Sequence, residues 1–136
     1  MPYAIKVRVT DPDAAQWVFD DQKTMYGGRR VQAGDTIFVI DSEHEGGCGL
    51  VARGRVTAAA PIPATPGLAR QTPRVRITVA AVARSRLPLG RAALKPFSDW
   101  GDGRPETELN FKLVRQATNK IVGLTDAAAA FLASHF

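Results

Sequence analysis

Apolar and polar residues alternate strictly along residues 3–9, with Tyr3, Ile5, Val7 and Val9 opposed by Ala4, Lys6 and Arg8. That period of two predicts a half-buried first strand. Thr10-Asp11-Pro12-Asp13 ends it and supplies an N-cap and a first-turn proline. A helix over 14–20 is expected to follow, anchored by Trp17 and Val18. Residues 23–30 read as a second short turn or helix, interrupted by Gly27-Gly28 before the basic pair Arg29-Arg30. A turn at Ala33-Gly34-Asp35 precedes the apolar run Thr36 to Ile40, which has the composition of a strand covered on both faces. Gly46, Gly47 and Gly49 then permit a tight bend into a strand over 50–56. Strict alternation puts Leu50, Ala52, Gly54 and Val56 on one face of it, and Val51, Arg53, Arg55 and Thr57 on the other.

Residues 58–73 are rich in Ala, Pro and Thr without any period, which predicts a long surface loop. Periodicity of two returns over 74–84, with Val75, Ile77, Val79 and Ala81 inward. A loop with one helical turn fits 87–97, and 98–105 is a turn-rich segment presenting Trp100. A helix over 109–116, a short strand within 117–124 and a helix capped by Thr125-Asp126 complete the pattern. The last helix runs through Ser134 and would be anchored by Ala129, Phe131 and Leu132. The pattern predicts one α+β domain over 1–136: a curved mixed sheet or barrel of about five strands with short flanking helices.

A chain of 136 residues buries a real core without staples. Its apolar runs are too short for a membrane-spanning helix, and no signal-peptide core follows Met1, so no membrane partner is expected. The single cysteine, Cys48, forms no internal disulfide and suits a reducing, cytoplasmic setting. The formal net charge of +5 favours an anionic partner such as nucleic acid. An arginine- and alanine-rich composition of the kind high-GC genomes encode explains the same number, so charge alone leaves the question open.

The motifs of several enzyme classes are missing: there is no P-loop, no Gly-x-Gly-x-x-Gly after a strand and no Gly-x-Ser-x-Gly elbow. Cys48, His44 and His135 are too few for a structural zinc site. Cys48 with His44 as a base is too closely spaced for a nucleophilic pair, and a small loop cysteine is the plainer reading. Asp41, Glu43 and Glu45 read as a solvated acidic loop rather than a cation site or a carboxylate pair. No catalytic residue, metal or cofactor is assigned. What stands out is Trp17, Tyr26 and Trp100, which the pattern places on loops or short helices near arginines, the parts needed to stack a base. Arg29, Arg30, Arg115 and Lys120 are the candidate phosphate contacts.

The run Gly34-Asp35, Thr36-Ile37-Phe38-Val39-Ile40-Asp41-Ser42 and Gly49-Leu50-Val51-Ala52-Arg53-Gly54-Arg55-Val56 resembles the EVE domain of the PUA-like superfamily. The opening Tyr3-Ala4-Ile5-Lys6-Val7 and the polar segment 114–120 before an apolar strand and helix fit it as well. Ile40-Asp41 stands where that family has tyrosine-histidine before the serine. The resemblance implies a PUA-like β-barrel that binds RNA or DNA, holding a modified or flipped base in an aromatic pocket near Ser42. On the leading reading, Trp17, Tyr26 or Trp100 stacks that base, and Ser42 and Asn119 hydrogen-bond its edge. Two other readings stay open. One is an enzyme acting on RNA or a nucleotide, as in ASCH-like folds, through Asp35, Asp41, Glu43 or Lys120. The other is a domain for an anionic small molecule or a protein partner.

Overall fold

The computed structural model describes residues 1–136 as a closed six-stranded barrel in the order β1-β3-β4-β5-β2-β6. The strands are β1 (Tyr3–Val7), β2 (Gln16–Met25), β3 (Thr36–Asp41), β4 (Gly49–Ile62), β5 (Arg74–Arg84) and β6 (Lys120–Gly123). β1 runs parallel to β3, and β2 parallel to β6; the other neighbours are antiparallel. Three helices, α1 (Arg91–Leu94), α2 (Pro105–Leu109) and α3 (Asp126–Ala133), lie outside the barrel. α2 continues into a single π-turn, Asn110–Val114.

Two cores result. Ile5, Ile37, Val39, Val56, Ile77, Val79 and Ile121 fill the barrel, and all are fully buried. Ala4, Phe38 and Val122, from the opposite faces of β1, β3 and β6, pack against Leu109, Leu113, Ala128 and Leu132 of the helical layer. All five residues of β1 are therefore buried, not one face of it, although β3 is covered on both faces as its composition predicts. Lys6, on the outer face of β1, is buried with its ammonium tied to the carbonyls of Leu113 at 3.0 Å and Gln116 at 2.7 Å.

The expected helix over 14–20 is a strand. Trp17 and Phe19 alternate inward and Val18 is left outside, 49 % exposed, so the period of two in Trp-Val-Phe outweighs the turn proline. The strand continues to Met25, and the segment after it is a 3-10 turn at Gly28–Arg30. Gly28 is needed there because a Cβ would run into the Ile121 carbonyl of β6. β4 is longer than expected, since residues 58–62 pair with 74–78 of β5, and the loop shrinks to 63–73. In β4 a register shift sets Val39 against Ala52 and Ile40 against Leu50, leaving Val51 as the extra residue. This bulge breaks the strict alternation: Leu50 faces the helices, while Ala52 and Val56 face the barrel interior.

The remaining elements follow the pattern with shifted edges. The helix before β6 starts at Pro105, a first-turn proline, instead of at Leu109. In α3 the Thr125 hydroxyl caps the Ala128 N–H at 3.2 Å, and Ala128 with Leu132 provides the anchors, Ala129 and Phe131 being half-buried. The barrel has six strands where about five were expected.

Candidate functional site

A difference in strand length opens one end of the barrel. β6 has four residues and β2 has ten. β6 pairs with β2 only at Lys23, Thr24 and Met25, and with β1 from Tyr3 to Lys6. Beyond that pairing, residues 16–22 of β2 have β5 on one side and no strand on the other. The chain after β1 diverges along the far wall, so β1 and β2 splay into a cleft of about 480 Å³. That lies within the roughly 300–1,000 Å³ usual for ligand sites.

Asn119 sits at the apex of the split. Its N–H donates to the Lys6 carbonyl at 2.8 Å and its carbonyl accepts from the Lys23 N–H at 3.1 Å, so one residue bridges both walls. The bridge needs a left-handed backbone, φ 68, which asparagine tolerates better than most residues. Thr118 beside it is held by a 2.7 Å hydroxyl–hydroxyl bond to Ser42. Ser42 itself is fully buried, and its N–H donates to Val7 at 2.8 Å.

The floor of the cleft comes from the inward face of β2 and from Val7. The rings of Trp17 and Phe19 are nearly parallel, 17° apart with centroids at 6.2 Å, and both are buried. The indole N–H of Trp17 is spent on the Asp11 carbonyl at 2.8 Å, and the Arg84 guanidinium sits 5.4 Å from the indole centroid. A bulge at Asp20-Asp21 follows, because Phe19 pairs with Ile77 but Gln22 with Val75. Asp21 takes the positive φ of 52 and is held by Arg74 at 3.0 Å. The extra residue keeps Gln22 on the same inward face as Phe19. Gln22 is 2 % exposed and is the polar member of an otherwise apolar floor. Its Nε2 donates to the Asp20 carbonyl at 2.8 Å and to Asn119 Oδ1 at 3.3 Å, while its Oε1 takes no hydrogen bond.

Of the residues singled out in the sequence, Trp17 and Asn119 line this cleft together. Trp17 does so from a strand, not from a loop or short helix. Ser42 is not part of the lining; it supports the cleft through Thr118. Tyr26 and Trp100 line a separate cavity of about 510 Å³ against α2 and the start of α3. Trp100 is 55 % exposed, as its polar turn suggests, and meets Phe111 edge-on at 5.0 Å; Arg115 stacks on the same Phe111 at 4.1 Å. Arg29 and Arg30 are exposed on the 3-10 turn after β2. Since β2 starts at the split and runs away from it, they stand at the opposite end of the barrel. Lys120 is half-buried, with Gln116 Oε1 at 3.3 Å and Met25 Sδ at 3.2 Å. The basic residue lining the split is instead Arg8, and the one behind Trp17 is Arg84. Arg8, Phe19, Gln22 and Arg84 were missed; a doubled acid within a period-of-two run was the available sign of the bulge that turns Gln22 inward.

A third cavity, lined by Lys6, Glu43, His44 and Arg91, holds about 30 Å³. At roughly 10–15 Å³ per water it has room for about two waters and none for a ring. Burial, and next the Arg91 charge, lower the pKa of Lys6, with Glu43 opposing them. Its ammonium is already engaged by helix-end carbonyls and by His44 Nδ1 at 3.4 Å.

A small closed mixed barrel with helices on one side is the architecture of a PUA-like fold. Comparison with solved structures bears out that class. The fold matches the DUF55 domain of human thymocyte nuclear protein 1 with a TM-score of 0.67 at 18 % identity, over 98 % of this chain and 97 % of that one. It matches the human THYN1 protein in complex with 5-methylcytosine-containing DNA with a TM-score of 0.64 at 16 % identity, over 98 % and 95 % of the two chains. A protein from Pseudomonas putida matches with a TM-score of 0.63 at 17 % identity, over 98 % of each chain. This is the EVE-type, PUA-like fold that the sequence motifs imply. No family model matches the sequence, and no curated protein does.

Proposed function

We propose that this chain binds nucleic acid and takes one base, flipped from the stack, into the split end of its barrel. The observation that carries this reading is the floor of the cleft, where the Trp17–Phe19 pair and the Gln22 and Asn119 amides converge in about 480 Å³. A ring-sized ligand finds an apolar floor there and polar groups that orient it. The human protein of the same fold, solved with 5-methylcytosine-containing DNA, supports the choice of ligand class. A net charge of +5 supplies the long-range attraction.

The energetics favour discrimination. Unstacking a base costs a few kcal/mol, least when it is mispaired, damaged or already unpaired. Stacking on an aromatic returns about 1–3 kcal/mol, and each hydrogen bond to the edge about 0.5–1.5 kcal/mol. Extrusion thus comes close to balance, and phosphate contacts supply the net affinity. A base already weakened in its pairing, or carrying a methyl group that fills the apolar floor, tips that balance.

Fluorescence anisotropy on labelled duplexes with a central 5-methylcytosine, cytosine or abasic sugar tests the reading. Binding to the abasic duplex is expected to be weaker by about 1–3 kcal/mol, or roughly 5- to 150-fold. Equal affinities for all three duplexes would show that no base enters the cleft.

A further inference from the structure

Accepting that a base occupies the cleft, we infer that Gln22 selects bases whose edge opposite the glycosidic bond carries an amino group, cytosine at position 4 and adenine at position 6, against thymine, uracil and guanine, which carry a carbonyl there.

One buried amide in the cleft has a fixed orientation. Gln22 Nε2 donates to the Asp20 carbonyl, a backbone acceptor that cannot turn over, so reversing the amide would set oxygen against oxygen there, and Asn119 Oδ1 is oriented to the same Nε2 in turn. Its Oε1 is therefore held as an acceptor, and it is buried without a partner. An orphaned buried acceptor is the kind of group whose desolvation a ligand donor relieves and a ligand acceptor makes worse. The neighbouring Asn119 has its carbonyl engaged by Gln22, which leaves its amide nitrogen as a donor on the exposed side of the cleft. The two side chains together present an acceptor deep in the cleft and a donor nearer the rim.

The geometry of a nucleotide decides which base fits that order. The sugar and phosphates stay outside, so the base enters by the edge opposite its glycosidic bond. That edge is position 4 of a pyrimidine and position 6 of a purine. In cytosine and adenine these positions carry amino donors, and the adjacent ring nitrogens accept from Asn119. In thymine, uracil and guanine they carry carbonyl oxygens, which would face Gln22 Oε1. Trp17 and Phe19 stack with any base, and the Trp17 N–H is already spent on Asp11, so neither ring reads this difference. Discrimination rests on Gln22. The Asp20-Asp21 bulge in turn keeps Gln22 inward and supplies the Asp20 carbonyl that fixes its amide.

The test uses fluorescein-labelled duplexes differing at one central nucleotide: cytosine, adenine, thymine, guanine or an abasic sugar. Each is set opposite an abasic site, so that flipping breaks no base pair. The native protein is expected to bind cytosine and adenine about tenfold or more above thymine and guanine, within the range of a well-placed pair of hydrogen bonds. Gln22→Leu removes the acceptor and should bring the four bases to within about threefold of one another, with the abasic duplex bound as before. Thymine or guanine binding as well as cytosine to the native protein overturns the inference. It leaves the base-binding reading standing so long as some base exceeds the abasic sugar. Five equal affinities in the native protein instead overturn that reading, and the inference with it. The native comparison needs no variant; should Gln22→Leu fail to fold by circular dichroism, Gln22→Met makes the same measurement. A variant that keeps the full native preference also overturns the role of Gln22.

Discussion

Trp17 holds up the barrel and, on the proposed reading, stacks the base; replacing it separates the two roles. It is 7 % exposed, so Trp17→Leu removes much of a buried ring from the barrel core. Full truncation of such a residue to alanine costs about 3–5 kcal/mol, and leucine retains part of the volume, so a loss of about 2 kcal/mol is expected. A domain stable by about 5–15 kcal/mol survives that. Loss of the stacking face removes about 1–3 kcal/mol of base-dependent binding, a fall of roughly 5- to 150-fold. Trp17→Phe keeps a flat face and loses the 2.8 Å bond to the Asp11 carbonyl. Its base-dependent loss should stay below about 1 kcal/mol.

The assay must not confuse partial unfolding with lost stacking. Binding is therefore read as the ratio of affinities for a base-containing and an abasic duplex, with stability measured separately by urea denaturation. A folded protein without the aromatic face should bind the abasic duplex normally and lose the ratio. If folded Trp17→Leu keeps the native ratio, the base does not rest on Trp17 and the floor of the cleft is not the stacking surface.

Four further outcomes follow from the geometry. Arg8→Ala should lower the slope of log affinity against log salt by about 0.9, the value of one phosphate contact, while the pair Arg29→Ala and Arg30→Ala leaves it unchanged from the far end of the barrel; titration at several salt concentrations separates them. Glu108 accepts from the Thr125 N–H and hydroxyl and from Lys112; burial alone would raise its pKa, but these partners outweigh it and hold the carboxyl below its usual range. Its contribution is present above the ordinary carboxylate pKa and is lost as pH falls through the lowered one, so Glu108→Gln should cost about 1–3 kcal/mol at neutral pH and flatten the acid limb of a stability profile. Gly28→Ala should destabilise by about 1–3 kcal/mol in denaturant titration, since the new Cβ meets the Ile121 backbone carbonyl rather than a side chain able to move. Cys48→Ser, at an exposed thiol, should leave binding intact and stability within about 0.5 kcal/mol.

Strand periodicity was readable wherever one rule governed a segment. β3 and the first half of β5 show it: Ile37, Phe38 and Val39 are all buried, and Val75, Ile77 and Val79 alternate inward before Val82 turns out. Trp17 was misread because Asp-Pro-Asp ahead of it is good helix-start chemistry, and three residues of alternation were too few to outweigh that locally. The sheet supplied the missing preference, since Trp17 and Phe19 gain a barrel interior by pairing with β5. The site was less legible than the fold. Trp17 and Asn119 lie about a hundred residues apart in sequence and meet only because β6 bridges β1 and β2. Gln22 looks like any polar residue beside two aspartates until the bulge turns it inward. Tyr26 and Trp100 carry the same signature as Trp17, an aromatic near arginines, yet occupy the other cavity. Residue type named the chemistry, and topology decided which groups share a space.

The open edge of β2 is the feature most in need of a physical reason, since seven residues of strand have no neighbouring strand on one side. Such an edge invites pairing with another chain unless it is blunted by bulges or charge. Here the bulge falls at Asp20-Asp21, within the open stretch, and Arg8 stands across from it. These features oppose an extended strand, which needs a straight, uninterrupted ladder of several residues. They leave room for a single planar ring, which needs only the short floor from Trp17 to Gln22. A bulge that protects the edge and also sets the orientation of Gln22 couples the two properties. Deleting Asp21 would keep Gln22 opposite Val75 and inward, but on a regular strand, where the Asp20 carbonyl no longer turns back to fix the Gln22 amide. The cleft would then lose base discrimination and gain a tendency to self-associate together, and size-exclusion chromatography alongside the duplex panel would reveal a protein that changed in one respect but not the other.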